Sequence, residues 1–130
     1  MTDTELIEAA KKAAKNSYSP YSGYTVGAAL LSKDGKVFTG CNIENAAYSP
    51  TICAERTAVA KAVSEGHTDF VRIVVAGRCQ DFCVPCAVCR QVLREFAPNI
   101  EVICLNGKGE EKVFTLPELL PHSFGPEFLA

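Results

Sequence analysis

The chain has 130 residues, 48% of them hydrophobic and 22% charged, with a net charge of −2. That length supports one domain with a core of its own and no need of covalent staples. The charge balance argues against capture of a nucleic-acid backbone, and no apolar run approaches a membrane span, so neither nucleic acid nor membrane is expected as a partner. The charged, amphipathic start MTDTELIEAAKKAAK is unlike a secretion signal, which makes the cytoplasm the expected compartment.

Residues 4–15 carry helical spacing, with Leu6, Ala9, Ala10 and Ala13 on one side and a capping-box pattern at Thr2 and Glu5. The Ser, Pro and Gly content of NSYSPYSGY (16–24) marks a loop. TVGAALLS and KVFTGCNI flank Asp34-Gly35, which predicts a hairpin whose two central residues both adopt positive φ. NAAYSPTI (45–52) is a second loop. From about Cys53 the chain turns alanine-rich and helical until Gly66, a suitable C′ residue. FVRIVVAG predicts a buried strand by its β-branched run. After the loop RCQDFCVP, Pro85 stands where a helix starts, and CAVCRQVLREF continues it. IEVICLN predicts another strand, Gly107 and Gly109 a turn, and KVFT a short fifth strand. TLPELLP opens like a short capped helix, with Thr115 as N-cap and Glu118 three residues on.

The order α-β-β-α-β-α-β-β-α predicts a single α/β domain over 1–130, in three layers, α/β/α. Its mixed five-stranded sheet carries helices on both faces. Strand–helix–strand units imply parallel pairing, and the hairpin adds an antiparallel pair.

Seven cysteines are an odd number, in a chain long enough not to need bridges. In a reducing compartment that favours metal ligands, catalytic thiols and buried thiols over disulfides. Cys86 and Cys89 lie at i and i+3 near a helix start, so they share a face, and the helix N-terminus favours thiolate. Cys83 precedes Pro85 and falls outside that face. Cys53 stands at the other predicted helix start. If the two starts meet, three thiolates form a site that suits zinc. A structural zinc site closes with a fourth protein ligand, whereas a catalytic one keeps that position for water.

Glu55 is the candidate proton carrier for such a water. Two residues differ by about 200° on a helix, so Cys53 and Glu55 converge only if Cys53 sits at a non-helical cap. Arg56 and Arg90 are candidates to donate to a sulfur and offset the negative charge. Cys41, Cys79 and Cys104 read as ordinary residues, Cys41 and Cys104 at buried strand positions. His67 and His122 read as solvent-facing.

CAE followed by PCAVCRQ resembles the C/H-x-E…P-C-x-x-C signature of zinc-dependent nucleoside and nucleobase deaminases. PYSGYTVGAALL, GCNIENAAYSPTICAERTA and LLPHSFGPEF are similar to the small homotetrameric cytidine deaminases, from about residue 18 to the C-terminus. The resemblance implies a cytidine deaminase-like fold and one Zn2+ per subunit on Cys53, Cys86 and Cys89, with Glu55 as proton shuttle. Asn42 and Glu44 would bind the ribose hydroxyls. Tyr24, at a position usually Phe, would pack on the pyrimidine, and Ala54 would belong to the nucleoside site. Phe124 would reach into a neighbouring subunit's site and stack on the base. Ala46 and Tyr48 would contribute across a subunit interface, and Arg56 would donate to a zinc-bound sulfur.

The implied reaction is hydrolysis of cytidine and 2′-deoxycytidine to uridine and 2′-deoxyuridine plus ammonia, in pyrimidine salvage. The implied assembly is a homotetramer with shared active sites. The chain departs from the family pattern at Ala87-Val88, usually Gly-Ala, and at Val84, commonly Ser. A related nucleoside-like amine is an alternative substrate. Two other classes fit the bare cysteine pattern: a structural zinc module closed by a fourth ligand such as Cys83, and a thiol–disulfide protein using Cys83/Cys86 or Cys86/Cys89.

Overall fold

A computed structural model describes residues Met1–Leu129. Five strands form one sheet: β1 Val26–Ser32, β2 Val37–Cys41, β3 Phe70–Gly77, β4 Glu101–Leu105 and β5 Glu111–Thr115, in the order β2-β1-β3-β4-β5. The helices are α1 Asp3–Ala14, α2 Ala54–Ser64, α3 Ala87–Phe96 and the short α4 Leu116–Leu119. A 3-10 turn, Pro126–Phe128, follows them. The predicted order of strands and helices is the observed one.

Alternation along the strands sorts the core into two layers. Ala28 and Leu30, Ile73 and Val75, and Val102 and Cys104 face one way, onto Ala54, Ala58 and Ala62 of α2 and Leu93 of α3. Their neighbours Ala29 and Leu31, Val74 and Ala76, and Ile103 and Leu105 face the other way, onto Leu6 and Ala10 of α1. The central strands are therefore apolar at nearly every position, as strands covered on both faces must be. Three layers result, α1 alone on one side and α2 with α3 on the other.

The pairing differs in one respect from the sequence expectation. β3 and β4 form a parallel neighbouring pair across α3. β2 and β3 share a direction across α2, but β1 lies between them and pairs antiparallel with both. The crossover through α2 thus skips a strand. The hairpin at Asp34-Gly35 also differs. Only Gly35 takes positive φ, at 89°, and the connection runs over four residues, Lys33 to Lys36. Gly35 N–H donates to the Ser32 carbonyl and Ser32 N–H to the Lys36 carbonyl, so one left-handed residue closes the turn.

Close helix–sheet approach sets the position of α2. A Cβ at Gly40 would stand 2.5 Å from the Ala54 carbonyl oxygen and 2.6 Å from the Ala58 nitrogen, both helix backbone. Gly40 therefore lets the first turn of α2 rest directly on β2, and that turn carries the candidate chemistry. Gly40→Ala is expected to destabilise the fold by about 1–3 kcal/mol, because rigid backbone must move to admit the methyl group. Denaturant unfolding of the variant checks this.

Candidate active site

Cys53 is the N-cap of α2, with extended backbone (φ −76°, ψ 158°). This is the non-helical placement that convergence with Glu55 requires. Cys86 is likewise the N-cap of α3 (φ −64°, ψ 165°), and its Sγ accepts from the Cys89 N–H at 3.5 Å. Pro85 accordingly precedes the cap instead of occupying the first helical turn. The two helix starts face each other. Cys53 Sγ lies 3.8 Å from Cys86 Sγ, Cys86 Sγ lies 3.3 Å from Cys89 Sγ, and all three sulfurs fall within 4.8 Å of one another.

Tetrahedral zinc with Zn–S bonds of about 2.3 Å needs S···S edges of ~3.8 Å. The three sulfurs fit one face of such a tetrahedron. No fourth His, Cys, Asp or Glu joins the cluster among the described residues. Cys83 does not close it: its sulfur is bonded to Cys79. That disulfide corrects the expectation of free thiols, and it is neither of the pairs that the bare cysteine pattern suggested. The remaining five cysteines are free.

The electrostatics favour thiolate at Cys53. Its thiol is lowered to about 5, chiefly by the Cys89 thiol beside it and then by Arg56, whose Nη2 donates to Cys53 Sγ at 3.5 Å. Arg56 Nε is buried and has no hydrogen-bond partner, so the bond from Nη2 to Cys53 is what ties the guanidinium to the sulfurs. Arg90 does not serve the sulfurs. Its Nε donates to the Pro85 carbonyl and its Nη1 to the Leu119 carbonyl, each at 2.7 Å, which ties the start of α3 to the end of α4.

Glu55 is 4% exposed. Burial pushes its carboxyl above the usual range, and the neighbouring Cys53 adds to the effect. A carboxyl held above its usual range by burial is suited to accept and return protons. It lines a cavity of about 520 Å³ together with Cys53, Cys86, Ala54, Tyr24, Asn42 and Glu44. One wall is metal-ligating, one is acidic and the rest is largely apolar, the make-up of a small-molecule site.

Asn42 and Glu44 hold fixed positions at the cavity's polar end. Asn42 Nδ2 donates to the Tyr24 carbonyl at 2.7 Å, and its Oδ1 accepts from Val26 N–H at 2.9 Å. Glu44 accepts from the Ser22 hydroxyl and from the Tyr21 and Ser22 N–H groups. The Ser22 contact, first among these, holds its carboxyl below the ordinary range.

Tyr48, Ala46 and Phe124 do not line this cavity. Tyr48 is 75% exposed and has left-handed backbone (φ 62°). Ala46 is exposed in the same loop. Phe124 stacks on Phe128, with its carbonyl held by Gln91 Nε2 at 3.0 Å. Sequence reasoning missed Ser22, Phe82 and Cys79 as cavity residues; Ser22 stands inside PYSGYTVGAALL without a role assigned to it, and Cys79 and Phe82 arrive on the loop RCQDFCVP. Val88 is 56% exposed and does not face the cavity, whereas Val84 lines it. His67, expected in solvent, is half-buried, its ring 5.0 Å from that of Phe38 and its Nδ1 3.6 Å from Asp34.

Residues 1–105 match the family model described as "Cytidine and deoxycytidylate deaminase zinc-binding region". The chain belongs to this deaminase family. It is 46% identical over 127 residues to a cytidine deaminase of Sporosarcina psychrophila, a match covering 97% of this chain and 93% of that one. It is 48% identical over 123 residues to a cytidine deaminase of Halalkalibacterium halodurans, covering 94% and 93%. A 1.6 Å crystal structure of cytidine deaminase from Burkholderia pseudomallei matches with a TM-score of 0.92 at 46% identity, over 95% of this chain and all of that chain. No helix is long and apolar enough to cross a membrane among the described residues.

Proposed function

We propose that this chain is a zinc-dependent hydrolase that deaminates cytidine and 2′-deoxycytidine. The reading rests on one observation above others: a three-sulfur cluster with no fourth protein ligand among the described residues presents two of its cysteines, Cys53 and Cys86, to a cavity that also holds a buried glutamate. A structural zinc module would close the cluster and would have no use for the cavity.

Cys53, Cys86 and Cys89 would hold one Zn2+ per subunit, and that ion would supply a Lewis acid able to make water nucleophilic at neutral pH. Glu55 accepts the proton of the attacking water and delivers it to ring N3, so that C4 becomes tetrahedral. It then moves the second proton to the departing 4-amino nitrogen, and the products are uridine and ammonia. Arg56 offsets the negative charge of the thiolates through Cys53. Tyr24 and Ala54 contact the pyrimidine, while Asn42 and Glu44 take the ribose hydroxyls. The Glu44 carboxylate accepts from hydroxyls that a free base lacks, and it repels phosphorylated nucleosides.

Tyr48, Ala46 and Phe124 are read as contributing to the sites of neighbouring subunits in a homotetramer. Exposure supports this: Tyr18, Tyr21, Tyr48, Phe124 and Phe128 are all large, apolar and uncovered in the single chain. The physiological place of the activity is cytoplasmic pyrimidine salvage.

Loss of absorbance as cytidine becomes uridine tests the reading. Zinc-loaded protein should turn over cytidine; protein that holds zinc and leaves cytidine, 2′-deoxycytidine and related amines unchanged overturns it. Glu44→Ala is expected to raise KM for cytidine by about ten- to a hundredfold, the worth of a charged hydrogen bond, with a much smaller change in kcat. Steady-state kinetics on the nucleoside measure it.

A further inference from the structure

The disulfide between Cys79 and Cys83 lies in the wall of the substrate cavity, not on a remote surface. It spans the loop that joins β3 to α3, just ahead of Cys86. The two cysteines are anchored differently. Cys83 is buried, its N–H donates to the Leu105 carbonyl at 2.9 Å, and its sulfur fills the notch that a Cβ at Gly77 would occupy. Cys79 receives a backbone bond from Gly107 N–H at 2.7 Å, but its side chain is only half-buried. Packing fixes the Cys83 sulfur, whereas the bridge fixes that of Cys79.

The Tyr24 hydroxyl points at Cys79 Sγ as its acceptor; the second sulfur, Cys83 Sγ, is 3.9 Å from the same hydroxyl. Burial keeps the Tyr24 phenol above its ordinary range, so it is a donor at neutral pH. Tyr24 lines the cavity and stands where the proposed substrate ring is held.

We propose that Cys79 is a positioning residue for the substrate ring: bridged to Cys83 it holds the Tyr24 hydroxyl, and reduction of the bridge releases Tyr24 and weakens substrate binding. The inference rests on the deaminase reading above. It makes nucleoside affinity responsive to the thiol–disulfide state, and it explains a bridge in a chain whose size does not call for one.

Formation of the bridge needs a low-molecular-weight disulfide as oxidant. The more exposed Cys79 thiolate attacks one sulfur of that disulfide, expelling the first small thiolate and leaving a mixed disulfide on Cys79. The Cys83 thiolate then attacks the Cys79 sulfur and expels the second. One S–S bond is broken and one formed, the two cysteines are oxidised, two small thiols are reduced, and the two cysteine protons pass to them.

The test uses zinc-loaded protein equilibrated either with oxidised glutathione or with a phosphine reductant. Alkylation after denaturation and zinc removal counts the thiols: five free cysteines in the bridged form and seven in the reduced form. Reduction is expected to raise KM for cytidine by about three- to tenfold, the worth of one hydrogen bond, with kcat within about twofold and zinc content unchanged. Cys79→Ser should raise KM similarly and abolish the redox response. Tyr24→Phe, which lacks the hydroxyl, should make KM indifferent to the state of the bridge, and Cys79→Ser should then add nothing.

Equal KM in the two states, a redox response that persists in Tyr24→Phe, a shift that tracks zinc loss, or failure of the bridge to form each overturns the proposal while leaving the deaminase reading in place. Absence of turnover in both states overturns the deaminase reading and this proposal with it.

Discussion

Glu55→Gln should abolish turnover of cytidine almost completely, with kcat lower by about 10²- to 10⁴-fold, the range of a positioned acid–base group. Glutamine keeps the shape of the side chain and its fit in the cavity, but it cannot carry a proton between water, N3 and the leaving amine. Cys53, Cys86 and Cys89 are untouched, so zinc content should stay at the wild-type level. Burial disfavours the carboxylate, so the neutral amide should leave the melting temperature unchanged or raise it. Activity, metal analysis and thermal unfolding on one preparation separate a chemical defect from a structural one. A variant that retains zinc and turns over normally would remove Glu55 from the mechanism.

The geometry of the candidate site was legible because its cysteines sit at helix starts, where local rules are strong. Cys53 and Glu55 are two apart and would diverge on a helix; the demand that Cys53 be a cap followed from geometry alone, and its backbone satisfies it. The apolar runs in β1, β3 and β4 likewise declared strands buried on both sides. Strand order was less legible, since α2 is a long enough connection to pass over β1, and nothing local reports which strand it reaches. The hairpin misled in detail: Asp34-Gly35 signals the tightest turn, but hydrogen bonds through Ser32 close a longer one with positive φ at Gly35 alone.

The loop cysteines were illegible for a different reason. Cys79 and Cys83 belong to no helical or strand period, and a compartment argument favoured free thiols. Their partnership is set by tertiary anchors, the Leu105 carbonyl and Gly107 N–H of the adjoining β4 end. The roles of the two arginines were also a tertiary matter. Arg56 and Arg90 occupy comparable sequence offsets from a cysteine, yet only Arg56 turns toward sulfur, because the Pro85 and Leu119 carbonyls capture Arg90.

Cys89→Ala should cost the protein both its metal and a large part of its stability. Cys89 is wholly buried, so no water replaces the lost sulfur without opening the start of α3. Two thiolates make a poor zinc site, and zinc content after purification should fall to a small fraction of one per chain. Activity should vanish with it. The stability loss follows by linkage: a ligand bound only by the folded state at a thousandfold excess over its Kd contributes about 4 kcal/mol. Chelation of zinc from the wild type should therefore lower its melting temperature, whereas the same chelator should leave the Cys89→Ala variant where it was. Cys83→Ser is the contrast. Its sulfur is bonded to Cys79 and makes no part of the three-sulfur cluster, so zinc should be retained in full. Parallel metal analysis of the two variants decides whether Cys86 and Cys89, but not Cys83, complete the centre that Cys53 begins.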